Sequence, residues 1–182
     1  MNRIIIMTVG KTHSGKTTFA KELETILQQA VVIDRDNHAE FINTFYKKLR
    51  PKDGPNTLKF TVTNAIVEYA TEQTDFHIIL SNSNLNKTAR LNVLKYFHDK
   101  GFKSVIVFFD LPFQLLKERV DQTIRSKAIF RSASSFMDVL ERQEKSKPEE
   151  PTEDEANHLF VIRDPGELPV VIQKIKTISD LK

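Results

Sequence analysis

The chain has 182 residues, 40% of them hydrophobic and 28% charged, with a formal net charge of +3 and no cysteine. This length and composition suit one globular domain, residues 1–182, with a sizeable core. They exclude disulfides and thiolate metal sites, offer no apolar run long enough for a signal peptide or membrane span, and so lead us to expect a cytoplasmic protein.

Residues 3–9 (RIIIMTV) read as a strand buried on both faces. A glycine-containing turn leads into a helical pattern from Lys16 to about Gln29, then a short strand, Val31–Ile33, ends at Asp34. Asp36 or Asn37 is placed to cap a helix running to about Leu49. Pro51 to Pro55 breaks the pattern, after which Leu58, Val62, Ile66 and Tyr69 recur at helical spacing.

Phe76–Leu80 reads as the next strand. Asn86 suits the cap of a helix that stops near Lys100, at Gly101. Ser104–Phe109 is another buried strand, and Asp110 ahead of Pro112 suits an N-cap for a helix reaching about Ile124. Further helices are expected near Ser134–Glu144 and Leu168–Ile178, with a strand at Leu159–Ile162 between them. Thr152 and Glu155 have the spacing of a capping box. Phe45, Tyr46, Phe60 and Tyr69 fall in helical stretches and are expected to pack in the core. The five histidines have no metal-ligand spacing, and His38 is expected to cap a helix or face solvent.

Strands alternating with helices imply a parallel sheet covered on both faces, an α/β fold of three layers. Ligands of such sheets sit beyond the carboxyl ends of the strands. Asp34, Asp36, Asn82, Asn84 and Asp110 all follow strand ends and are expected to share one edge.

At that edge, Gly10 to Thr17 (GKTHSGKT) fits G-x-x-x-x-G-K-[ST]. Glycines permit backbone angles that let successive N–H groups converge on phosphates, and the helix that starts here adds its positive end. The loop is therefore expected to bind a nucleoside triphosphate, ATP with Mg²⁺, through Gly10, His13, Ser14, Gly15, Lys16, Thr17 and Thr18. Lys16 would reach the β- and γ-phosphates and Thr17 would place its hydroxyl on Mg²⁺. The side chains of Lys11 and His13 are not required by the pattern.

Ile33-Asp34-Arg35-Asp36-Asn37 follows. In an extended segment Asp34 and Asp36 would face one side and Arg35 the other. A carboxylate here could accept a proton from an acceptor hydroxyl or hold Mg²⁺ through water. Arg119, Arg125 and Arg131 belong to a basic run that could neutralise charge on a transferring phosphoryl group.

Four stretches together give a resemblance: the phosphate loop, Ile33–Asp36, Leu80–Asn86 (LSNSNLN), and Phe109–Pro112 (FDLP) through Arg119. They resemble the kinase domain of phage-type 5′-polynucleotide kinases, within the wider group of P-loop kinases and zeta-toxin-like proteins. The resemblance implies a P-loop NTPase fold with a mostly parallel central sheet and a helical lid over about residues 113–135. It implies that Asp36 is the general base, that Arg119 and Arg125 are lid arginines on the phosphates, and that Asn82 and Asn84 lie beside the acceptor. Asn82 stands where the phage enzyme has an aspartate, so outer-shell Mg²⁺ binding would rest on Thr17 with Asp34 or Asp36. Ala39 stands where that family places an arginine near the acceptor phosphate. Three functions follow: a kinase for a polynucleotide 5′-hydroxyl; a kinase for a nucleoside, sugar or other small metabolite; or a regulatory or NTP-hydrolysing module. The oligomeric state is not legible, and no membrane partner is expected.

Overall fold

The computed structural model describes residues 3–180 apart from 131, 132 and 134. The expectation at Arg131, and the helix start at Ser134, lie outside the described residues.

Five strands form one parallel sheet in the order β2-β3-β1-β4-β5. They are β1 (Ile4–Gly10), β2 (Ala30–Ile33), β3 (His77–Leu80), β4 (Lys103–Phe109) and β5 (His158–Ile162). Alternation along β1 sends side chains to two cores. Ile4 and Ile6 pack with Phe19, Leu23 and Ile172 from α1 (Lys16–Ile26) and α7 (Leu168–Asp180). Ile5, Met7 and Val9 pack on the opposite face with Ala70, Leu94 and Phe97 from α3 (Thr57–Gln73) and α4 (Lys87–Asp99). A third cluster, with Leu116, Val120, Phe136 and Leu140, joins α5 (Phe113–Asp121) to α6 (Phe136–Lys145). Helix α5 opens the segment expected to form the lid, and α6 follows it.

The capping at Asn86 appears as expected, with its Oδ1 accepting from Ala89 N at 2.8 Å. Thr152 and Glu155 also form their capping box. Other expectations fail for local reasons. Asp110 does not cap α5: its N–H donates to Ile162 O at 2.9 Å, which extends the β4–β5 ladder past Phe109 and leaves Pro112 at the N-cap. On α3 the buried positions are Thr63, Ala70 and Thr71, while Ile66 and Tyr69 are exposed. Ala70 and Val67 pack on the core, and of the stripe read from the sequence Leu58 and Val62 are half-buried while Ile66 and Tyr69 face out. Phe45, Tyr46 and Phe60 are likewise exposed rather than core. His38 neither caps nor faces solvent freely; its Nδ1 lies 2.8 Å from Thr63 Oγ1 and ties α3 to α2 (Arg35–Phe45).

The loop between β3 and α4 is anchored by a buried ion pair. Arg90 Nε donates to Glu155 Oε2 at 2.7 Å and its Nη2 to Oε1 at 2.9 Å. The same guanidinium donates to the carbonyls of Asn84 at 3.1 Å and Leu85 at 3.3 Å. Arg90→Met strands a buried carboxylate and frees those carbonyls, so it should cost about 3–5 kcal/mol in urea unfolding. A loss below about 1 kcal/mol, the scale of an exposed pair, would contradict the assignment.

Candidate active site

The phosphate loop joins β1 to α1. Gly10 has φ 150° and its N–H donates to Ser83 O at 3.0 Å. A Cβ there would meet Phe109 Cβ and O at 2.9 Å, so only glycine fits between β1 and β4. Gly15, at φ 99°, is the N-cap of α1 and turns the loop into the helix. The Lys16 ammonium folds back onto Lys11 O and lies 2.9 Å from Ser14 Oγ. Burial pushes it down to about 7, against the opposing pull of Asp36.

The segment after β2 departs from the extended arrangement expected of it. Helix α2 begins at Arg35, and Asp34 rather than Asp36 or Asn37 is its cap, with Oδ1 accepting from Asp36 N at 2.8 Å. The two carboxylates therefore part company. Asp34 is buried and turns to the phosphate loop, where Thr17 Oγ1 donates to its Oδ2 at 3.2 Å. Burial raises its pKa above the usual carboxylate value. Asp36, relieved of capping, lines a cavity together with Arg35.

Ser81 Oγ lies 3.5 Å from Thr17 Oγ1, and Asn82 Nδ2 donates to Asp34 Oδ1 at 3.4 Å. This set of oxygens suits a hard cation such as Mg²⁺. Among the described residues no three His, Cys, Asp or Glu side chains gather to hold a metal. A cation at Thr17 and Asp34 would thus take most of its ligands from water and substrate phosphates, as Mg²⁺ commonly does.

Two cavities flank the loop. One, of about 480 Å³, is lined by His13, Gly15, Thr18, Arg119, Pro165 and Leu168. The other, of about 550 Å³, is lined by Lys16, Asp36, Asn82, Asn84, Arg125 and Phe136. Thr17 and Arg125 border both. Arg119 Nη1 donates to His13 O at 3.1 Å, which sets it at the rim of the first cavity. Arg125 Nη2 stands 3.6 Å from Asp36 Oδ2, and its guanidinium lies 5.3 Å from the centre of the Phe136 ring. Asn84 lines the second cavity, but its Nδ2 donates to Thr8 O at 2.8 Å, so the amide helps to build the loop.

His13 is half-buried. Its ring packs edge-on against Phe136, with centroids 4.8 Å apart, and burial lowers its pKa to about 4. The residues that sequence reasoning missed come from α3 and α6. Lys59, Phe60 and Arg142 line the second cavity, and Gln143 Oε1 accepts from Thr12 N at 2.7 Å. No spacing rule connects them to the loop, since only tertiary folding brings them near it.

Sheet order, phosphate loop and flanking cavities together define a P-loop kinase-like fold. The chain belongs to the AAA domain family, whose model matches residues 5–146. Solved structures agree on the fold. Kti12 of Chaetomium thermophilum, in complex with ADP-AlF3, has a TM-score of 0.64 at 18% identity, covering 95% of this chain and 97% of its own. A sugar kinase from Janibacter sp. HTCC2649 has a TM-score of 0.62 at 19% identity, covering 99% and 95%. The APS kinase CysC of Mycobacterium tuberculosis, in complex with AMPPNP and APS, has a TM-score of 0.61 at 15% identity, covering 99% of both chains. Comparison with curated protein sequences gives no match. Among the described residues no helix is long and apolar enough to cross a membrane.

Proposed function

We propose that this chain is an ATP-dependent kinase that transfers the γ-phosphoryl group to a hydroxyl of an acceptor seated beside Asp36. The observation that carries this reading is the pair of cavities meeting at Thr17 and Arg125. A hydrolase or regulatory module needs room for one nucleotide, whereas a transferase needs a second compartment where the phosphates end.

In this reading the nucleoside occupies the Arg119–Pro165 side, and the loop N–H groups with Ser14, Lys16 and Thr18 hold the phosphates. Lys16 leaves Lys11 O and Ser14 Oγ to reach the transferring group. Mg²⁺, held by Thr17 and through water by Asp34, would supply charge neutralisation between phosphates. Asp36 takes the proton of the acceptor hydroxyl as the new O–P bond forms and the bond from the γ-phosphorus to the ADP oxygen breaks. Arg125 moves from Asp36 to the phosphoryl oxygens, and Arg119 supports them from the other side.

A polynucleotide 5′-hydroxyl is the acceptor that the four matching sequence stretches favour. A small hydroxylated metabolite is the second reading, favoured by Ala39. That residue is buried within α2, so no long basic side chain reaches an acceptor phosphate from there. Labelled γ-phosphate offered with 5′-OH DNA, 5′-OH RNA, nucleosides and sugars separates the readings. Label on an oligonucleotide supports the first, label on a small molecule alone supports the second, and label on no acceptor overturns the kinase.

Lys16 adds a pH prediction. Its pKa of about 7 in the free site means that the ammonium is only partly formed at neutral pH. Bound phosphates favour the charged form, so nucleotide binding should draw in a proton and weaken as pH rises above 7. Calorimetry at pH 8 in buffers of different ionisation heat should show this uptake for the wild type and not for Lys16→Met. Buffer-independent heat for the wild type would contradict it.

A further inference from the structure

The exposed end of α2 carries a feature that phosphoryl transfer does not use. Phe41, Phe45, Tyr46 and Leu49 are 47%, 70%, 47% and 66% exposed. The Phe41 ring centroid lies 5.5 Å from that of Phe45 and 5.4 Å from that of Tyr46, with the rings inclined at 51° and 62°, so the three form one contiguous aromatic cluster whose exposed faces are open to a stacking base. Lys47, Lys48, Arg50 and Lys52 follow these rings in the sequence. Arg50 Nη1 donates to Asn43 Oδ1 at 3.4 Å. Lys47, Lys48 and Lys52 are exposed and make no ion pair among the described residues.

The cluster leads toward the cavity. Arg35 stacks over Phe60 at 5.9 Å and His38 bonds to Thr63, the same offset of 25 residues in both cases. Helices α2 and α3 therefore run side by side in the same direction. Residues 46–56 must return along α2, about 16 Å for its eleven residues at 1.5 Å each. That return carries Lys47 to Lys52 back toward Lys59 and Phe60, which line the Asp36 cavity. On its other flank α2 meets the segment between α5 and α6, where Asn43 Nδ2 donates to Phe130 O at 3.3 Å.

We propose that the face formed by Phe41, Phe45, Tyr46 and the Lys47–Lys52 return binds single-stranded nucleic acid and directs one end toward the Asp36 cavity. Exposed rings beside a track of unpaired cations are what single strands require: each base has a face to stack, and the backbone supplies the anions. A protein-docking patch would instead be depleted of lysine at its centre. The binding surface itself is independent of the kinase reading; only the placement of the strand's end rests on it.

The test is fluorescence anisotropy with 5′-OH oligo-dT20 labelled at its 3′ end, without ATP. Binding should weaken about 50-fold between 50 and 200 mM salt if four cations engage phosphates. Phe45→Ala and Tyr46→Ala should each weaken it about tenfold, and Lys47→Glu with Lys48→Glu should flatten the salt dependence. Binding of a fluorescent ATP analogue should stay unchanged in every variant, showing an intact fold. Equal affinity for heparin, insensitivity to the ring variants, or a dimer in sedimentation that buries the rings would overturn the proposal. Transfer of labelled γ-phosphate across the whole acceptor panel tests the kinase reading separately, since it is scored on any acceptor and not on strand affinity.

Discussion

Asp36→Asn should lower phosphoryl transfer by about 10²–10⁴-fold, the range for a removed general base, with nucleotide affinity close to that of the wild type. The structure makes this substitution clean. Asp34, not Asp36, caps α2, so the exchange leaves the helix start intact. The side chain keeps its shape and its place in the cavity but can no longer accept the acceptor's proton. Arg125 loses its partner at 3.6 Å in the same variant, so nucleotide affinity is to be measured alongside the rate. An unchanged rate would remove Asp36 as the base. A parallel loss of nucleotide binding would move it to the phosphate-binding machinery.

Lys16→Ala should reduce turnover by roughly 10²–10³, the scale of one removed contact to charge that develops in the transition state. In the free protein, among the described residues, the ammonium hydrogen-bonds to Lys11 O and Ser14 Oγ alone and to no carboxylate. The variant should therefore fold, and its deficit should appear in nucleotide affinity as well as in kcat. The same substitution abolishes the proton uptake expected on nucleotide binding, so the two effects share one cause. Near-normal turnover would contradict the role of Lys16.

The phosphate loop was legible because its chemistry demands particular residues at fixed local spacing, from Gly10 to Thr17. The strands were legible because burial on both faces leaves unbroken apolar runs such as Ile4–Met7. The sequence reading erred where one hydrogen bond decides the outcome. Asp34 takes the cap of α2, and so the two acidic residues separate into one facing Thr17 and one facing the cavity. The aromatics were misplaced because helical periodicity identifies a stripe without saying which side is covered. In α3 Ala70 and Val67 pack on the core and Thr63 bonds to His38, while Ile66 and Tyr69 turn outward. Arg90 with Glu155, and the far wall of the cavity at Lys59 and Arg142, join residues distant in sequence, for which no local pattern exists.

In the proposed mechanism two compartments share one transferring phosphoryl group. The direct measurement is the fate of labelled γ-phosphate in a single turnover with an acceptor mixture, scored as acceptor-bound label against free phosphate. Label should appear on an acceptor hydroxyl faster than free phosphate is released, and Asp36→Asn should slow this transfer by about 10²–10⁴-fold. Release of all label as free phosphate, equal in the wild type and Asp36→Asn, would contradict it.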